Sequence, residues 1–225
     1  MTENFKKLCS QLKYIQDVDK IKLQFKGIAE ELFCNHYIDC GGKKFYFAEV
    51  EFYFYRNNVK DKIDFNAEWN NVTYPRIAQL GELLFHLSGI DICFESYYNE
   101  KCAEFGGILI RSVVDESRNI TAGPLTCMNE MLNTCGKTGL SFPRFVDNQD
   151  GVSHSCDVRP TSLTGINNEE AQMDNCYFDV TLPREKWSTT IMRYSTKKRI
   201  IEKYTRKYNT SKYEEEWNKY DLNDK

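Results

Sequence analysis

The sequence predicts an α+β fold in one principal domain, and three observations carry that expectation. Residues 45–55 crowd aromatic and β-branched side chains into a run with period-2 alternation, the pattern of a half-buried strand. Residues 83–94 and 105–114 are further apolar runs of strand length, the first broken at Ser88-Gly89 as two strand halves joined by a tight turn. Residues 3–18 and 26–36 repeat apolar residues at helical spacing: Phe5, Leu8, Leu12 and Ile15, then Ile28, Ala29, Leu32 and Phe33. A chain of 225 residues is long enough to bury a sizeable core. Residues 1–196 are expected to form the domain, and residues 197–225 a charged tail, helical or flexible.

The remaining elements follow in chain order. Cys40-Gly41-Gly42 reads as the turn into the first strand. Residues 56–80 turn polar and read as a long loop, a kind of segment often given to function. Gly123-Pro124 opens a helix running to about Leu132, with proline near the first helical position. Residues 135–172 read as irregular, and residues 176–182 as a last strand. Residues 184–207 hold nine Lys and Arg against two Glu, a local charge of +7, with Tyr194 and Tyr204 interleaved.

Composition narrows the function classes. The net charge of −3 excludes polyanion binding by bulk charge, so contact with nucleic acid would rest on the local cluster at 184–207. Nine cysteines are an odd number without a C-x-x-C pair, and no hydrophobic signal core follows Met1. No apolar run approaches a membrane span. An intracellular, reduced protein is expected, cytoplasmic or, in a eukaryote, nuclear. Three histidines, none at metal-ligand spacing, predict no metal, and no phosphate-cradling glycine motif predicts a cofactor.

The first strand carries the chemistry. Ala48, Val50, Phe52 and Phe54 share one face, and Glu49, Glu51, Tyr53 and Tyr55 share the other. Two carboxylates and two tyrosines make an unusual solvent face; a half-buried strand with an acidic edge is the plain alternative. Arg111 stands inside an apolar strand, where an unpartnered guanidinium is prohibitive. Glu49, Glu51 and Asp91 are the strand-borne acids available to it. The pair so formed is either structural or one that positions a water and takes its proton. His86 and Asp91 flank the Ser-Gly turn as an acid–base pair or as a bonded pair that pins the bend. His154-Ser155-Cys156 are adjacent residues of a loop, which seldom form a catalytic pair.

Several of these pieces fall in the order of a known family. Glu49-Val-Glu51-Phe-Tyr53 resembles the E-T-E-A-Y strand of the alkyladenine (methylpurine) DNA glycosylases. Residues 84–94 resemble their aromatic hairpin, Ile108-Leu109-Ile110-Arg111 their V-L-L-R strand, and residues 123–128 their G-P-x-x-L-C-Q helix start. The resemblance covers residues 25–135, with Met192-Arg193-Tyr194 similar to the family's closing strand. It implies a single mixed domain on a curved antiparallel sheet that flips a base from duplex DNA and hydrolyses its N-glycosidic bond without metal. It also implies Glu51 as general base, Arg111 as its co-positioner, and Tyr53 and Phe85 as stacking walls, since an extruded base must recover lost stacking. The chain departs from the family at the wedge tyrosine, which falls on Ser88, and lacks the pocket histidine between Arg56 and Leu80.

A monofunctional DNA glycosylase-like enzyme is therefore expected, a monomer acting on duplex DNA. Glu49, His86 and Asp91 would join Tyr53 and Phe85 around the substrate, and Arg193, Lys197, Lys198 and Arg199 would contact the backbone. A non-catalytic nucleic-acid or nucleotide binder on the same scaffold, and a hydrolase of small nucleosides, are the alternatives.

Overall fold

A computed structural model describes residues 1–15, 18–58, 76–99, 102–139, 142–148, 156–160 and 188–193. The first helical segment is α1 (Glu3–Gln11), started by Thr2, whose hydroxyl accepts from the Phe5 amide at 3.2 Å. A 3₁₀ turn (Leu12–Tyr14) ends it, and α2 (Val18–Asn35) follows, longer than helical spacing suggested. Phe5, Phe25, Ile28, Leu32 and Phe33 are the buried stripe of this pair. No described helix is long and apolar enough to cross a membrane.

The chain then forms β1 (His36–Cys40) and β2 (Lys43–Asn58), joined through Gly41-Gly42. Gly41 has φ +69°, and a Cβ there would lie 2.1 Å from the Thr138 hydroxyl, so both the turn and the helix beside it demand glycine. Strands β3 (Leu83–His86) and β4 (Gly89–Cys93) form the expected hairpin. After β5 (Tyr97–Asn99) comes β6 (Cys102–Asp115), paired with β2 from Phe45↔Asp115 to Asn58↔Cys102. The short β7 (Ile120–Ala122) folds back on β6, and α3 (Pro124–Thr138) begins with Pro124 and stops at Gly139 in the left-handed region.

Two strands lie where irregular structure was expected, and a third ends on residues likened above to a closing strand. β8 (Arg144–Asp147) pairs with β1, β9 (Cys156–Pro160) with β10, and β10 (Ser188–Arg193) with β2. The irregular stretch expected over 135–172 thus holds the end of α3 and two strands. Short strands without strong alternation were too weak a signal, and pairing with a neighbour made them. The expected strand at 176–182, most of the polar loop, and the tail from 197 lie outside the described residues.

Every pairing among the ten described strands is antiparallel, along the path β3-β4-β6-β2-β1-β8. The path curls. Phe85 at one edge strand and Phe142, two residues ahead of the opposite edge strand, bring their rings to 5.7 Å. One core cluster unites α1, α2, α3 and the sheet, with Phe25 stacked on Phe52 at 4.6 Å. The fold is thus mixed α+β on a curled antiparallel sheet.

A bulge in the long β2–β6 pair sets up everything that follows. The register runs Phe47↔Val113, Glu49↔Ser112, Val50↔Ile110, so Ala48 and Arg111 each lack an opposite residue. Strict alternation from Val50 and Phe52 would carry Phe47 and Phe45 to the glutamate face. The bulge changes the phase, and Phe45, Phe47, Val50, Phe52 and Phe54 all join one core.

Candidate functional site

The same bulge aims the polar residues. Consecutive residues of a strand normally face opposite ways, yet Arg111 and Ser112 both reach the glutamates of β2. Arg111 Nε donates to Glu49 Oε1 at 3.2 Å, and its Nη1 donates to Glu51 Oε2. Ser112 Oγ donates to Glu49 Oε2 at 2.8 Å. Both glutamate side chains are 0% exposed and that of Arg111 13%. The carboxylate partner that the sequence demanded for Arg111 is therefore a pair, Glu49 and Glu51.

Glu49 has both oxygens bonded. Glu51 does not. Among the described residues its Oε1 is buried with no hydrogen-bond partner, and an unsatisfied buried carboxylate oxygen is costly enough to call for an explanation. The other oxygen is held by a guanidinium, which fixes the direction of the carboxylate.

Asp91, the third acid, belongs to a different arginine. Arg76 Nη1 meets Asp91 Oδ2 at 2.9 Å, and His86 Nε2 meets Asp91 Oδ1 at 3.1 Å. Arg76 falls at the end of the polar stretch that sequence reasoning treats as loop, and the sequence reading misses it. A usable signal existed in Asp91 itself, an acid inside an apolar strand that needs a cation for the same reason that Arg111 needs an acid. Tyr98 donates its hydroxyl proton to the Arg76 carbonyl at 2.5 Å, and burial pushes that phenol up. Burial also pushes up the Cys93 thiol, against the pull of neighbouring Arg76.

His86 takes the pinning role. Its Nδ1 accepts from the Ser88 amide at 3.2 Å, which puts the ring proton on Nε2, toward Asp91. Both nitrogens are thus engaged in holding the hairpin turn. Gly89 completes that turn at φ +151°, where a Cβ would lie 2.9 Å from Pro124 at the start of α3.

Ladder register relates the two ionic groups. Asp91 stands opposite Leu109, and Leu109 opposite Glu51. Directly opposed residues share a face, so Asp91 and Glu51 lie on one face two strand spacings apart, about 9.6 Å between backbones. Beyond β2 the row continues to Thr190 and Arg159.

The other expected site residues divide as follows. Tyr53 occupies the register position opposite Gly107 and Ser188, on the glutamate face of β2. Phe85 pairs with Ile90, one residue out of phase with Asp91, and packs against the core. This corrects its expected role as a stacking wall beside Tyr53, because the alternation of β3 sends it to the opposite face. Arg193 ends β10 opposite Cys156. Lys197, Lys198 and Arg199 lie outside the described residues. Among the described residues no group of three His, Cys, Asp or Glu is placed to hold a metal ion.

No protein-family model, curated protein or solved structure matches the chain.

Proposed function

We propose that this protein hydrolyses an N-glycosidic bond of a nucleic acid, with Glu51 as the general base on water. The observation that carries the reading is the buried Glu51 Oε1, unpartnered among the described residues, on a carboxylate whose other oxygen is held by Arg111. A general base must sit within hydrogen-bond reach of the proton that it abstracts. Here the free oxygen is the acceptor for a water and Arg111 fixes the direction. In the step, the water oxygen bonds to the anomeric carbon, its proton passes to Glu51, and the carbon–nitrogen bond breaks with its electron pair leaving on the base. Tyr53, on the same face by register, supplies an aromatic surface for an extruded base. The resemblance of residues 25–135 to the alkyladenine DNA glycosylases supports the same assignment of Glu51 and Arg111.

The test uses duplex DNA panels, each member carrying one damaged base, with free nucleosides in parallel and base release as the readout. Wild type is expected to leave abasic sites in at least one duplex, and Glu51→Gln to lose roughly 10²–10⁴-fold in rate. Wild-type-like turnover by Glu51→Gln would sink the reading. Salt-sensitive binding to an abasic-site duplex without any cleavage, lost on neutralising the Lys197-Lys198-Arg199 cluster, would select the non-catalytic binder. Cleavage of free nucleosides without DNA affinity would select the small-nucleoside hydrolase.

A further inference from the structure

Nine cysteines without a C-x-x-C pair give no local signal of a thiol pair, yet the fold makes one. Cys40 is the last residue of β1, and Cys135 lies in the last turn of α3. Both are free and buried, at 0% and 1% exposure. Their thiols are hydrogen-bonded to each other. One hydroxyl ties the backbone around them: Thr138 Oγ1 lies 3.1 Å from the Cys40 carbonyl oxygen and 3.1 Å from that of Cys135. Gly41, next to Cys40, permits this approach, since a Cβ there would meet the same hydroxyl. Other described thiols have different neighbours. Cys127 Sγ lies 3.5 Å from the Arg111 carbonyl oxygen and 3.4 Å from that of Thr121, and Cys93 Sγ accepts from Arg76 at 3.5 Å.

We infer that Cys40 and Cys135 are an oxidation site, a thiol pair that a peroxide converts into a disulfide joining the β1–β2 turn to the end of α3. In the first step one sulfur takes an oxygen from the peroxide, the O–O bond breaks, and a sulfenic acid and a water are left. The second sulfur then displaces that oxygen, the S–S bond forms, and a second water leaves. Two thiols and one peroxide give one disulfide and two waters, with the sulfurs oxidised and the peroxide reduced.

Burial sets the pace of this reaction. It pushes the Cys40 thiol up, and the thiolate is the form that reacts, so the closed fold shields the pair. Oxidation therefore waits on opening of the last turn of α3, which ends at left-handed Gly139 and, as a helix end, is where local opening costs least. The bond would close a loop of about 95 residues, and the chain-entropy gain grows with loop length. It also pins a helix that braces the strand of Arg111. At the other end of α3 the Gly123 amide donates to the Arg111 carbonyl at 2.8 Å, with the Cys127 thiol at 3.5 Å.

The inference does not rest on the role of Glu51, and its test uses the full chain without substrate. Reduced protein is treated with graded hydrogen peroxide, its remaining thiols are alkylated in denaturant, and a digest is mapped by mass spectrometry without reductant. A peptide linking Cys40 to Cys135 is expected. The melting midpoint of the oxidised protein is expected to rise by about 5–15 °C and to return on treatment with dithiothreitol. Cys135→Ser should lose both the link and the rise. Should that variant not fold, the wild-type map and midpoint decide alone. Oxidised protein in which these two thiols stay free, or are linked to other cysteines, would overturn the inference. So would a Cys40–Cys135 link that lowers the midpoint, because the native fold would then not hold the two sulfurs within bonding reach.

Discussion

Two arginines hold buried carboxylates on the same face of this sheet, and they differ in one oxygen. Arg76 and His86 together engage both oxygens of Asp91. Arg111 and Ser112 engage both oxygens of Glu49 but only one of Glu51. The first group is closed and braces the β3–β4 hairpin against β6. The second has its carboxylates fully buried and, among the described residues, one acceptor unbonded. A fold built only for stability has reason to satisfy that atom. The difference teaches that an ion pair's burial says little about its role, and that complete or incomplete bonding says more.

The comparison can be broken most directly by removing a carboxylate from each group. Asp91→Ala removes the carboxylate that buried Arg76 and His86 share, and is expected to cost about 3–5 kcal/mol in urea unfolding. Glu51→Gln leaves Arg111 with Glu49 and an amide oxygen to donate to, and its free oxygen has no bond to lose. Its stability is expected to stay within about 1 kcal/mol of wild type. Equal losses in the two variants would mean that the second group is as closed as the first.

A smaller effect sharpens the picture of the closed group. A Cβ at Gly107 would lie 3.0 Å from Arg76 Nη1 and from the Ile92 carbonyl oxygen, and 3.3 Å from Asp91 Cβ. Gly107→Ala should therefore displace the Arg76–Asp91 pair and cost about 1–3 kcal/mol, again read from the unfolding midpoint. Loss of less than a few tenths would show that the pair has room to shift.

The smallest effect lies outside both groups and serves as their control. His36 is fully buried at the start of β1, stacked on Phe145 at 4.9 Å. Burial lowers its pKa, opposed by its bond to the Glu31 carbonyl and by Asp147. A depressed histidine stabilises above its unfolded value of about 6.5 and loses that contribution as pH falls toward its folded value. Stability should decline from pH 7.5 to 5 with a His36 share no steeper than about 1.4 kcal/mol per pH unit, the limit for one proton. His36→Phe, which keeps the ring stack, should flatten that slope; an unchanged slope would assign it elsewhere. Asp39 and Asp115 act in a lower window. Burial raises each, but hydrogen bonds outweigh it, from Arg144 and the Gly42 amide at Asp39 and from Asn119 and Lys43 at Asp115. Their contribution is lost only as pH falls below the ordinary aspartate range.

How much of this was legible beforehand varies residue by residue. Alternation placed Glu49, Glu51 and Tyr53 on one face, because strand period is a local property of the backbone. The need of Arg111 for an acid was legible because an unpaired buried charge is too costly to tolerate. Which acid was not legible: Asp91 stood equally available until the fold set Arg76 against it. Phe85 reads as an aromatic beside the turn, and only its pairing with Ile90 turns it toward the core. The bulge had no signal, since Ala48 and Arg111 fit an uninterrupted strand pattern and only the facing strand shows each to be extra.

The amino-acid sequence by itself determined the elements and the chemical demands: a long amphipathic strand, a hairpin at Ser88-Gly89, a helix opened by Pro124, and charges that needed partners. Those follow from short-range periodicity, turn chemistry and desolvation, which act over a few neighbouring residues. Tertiary structure alone decided which charges met. Arg111 lies 60 residues from Glu51 and 62 from Glu49, and their meeting depends on sheet register and a paired bulge. A one-residue slip would have sent both glutamates into the core.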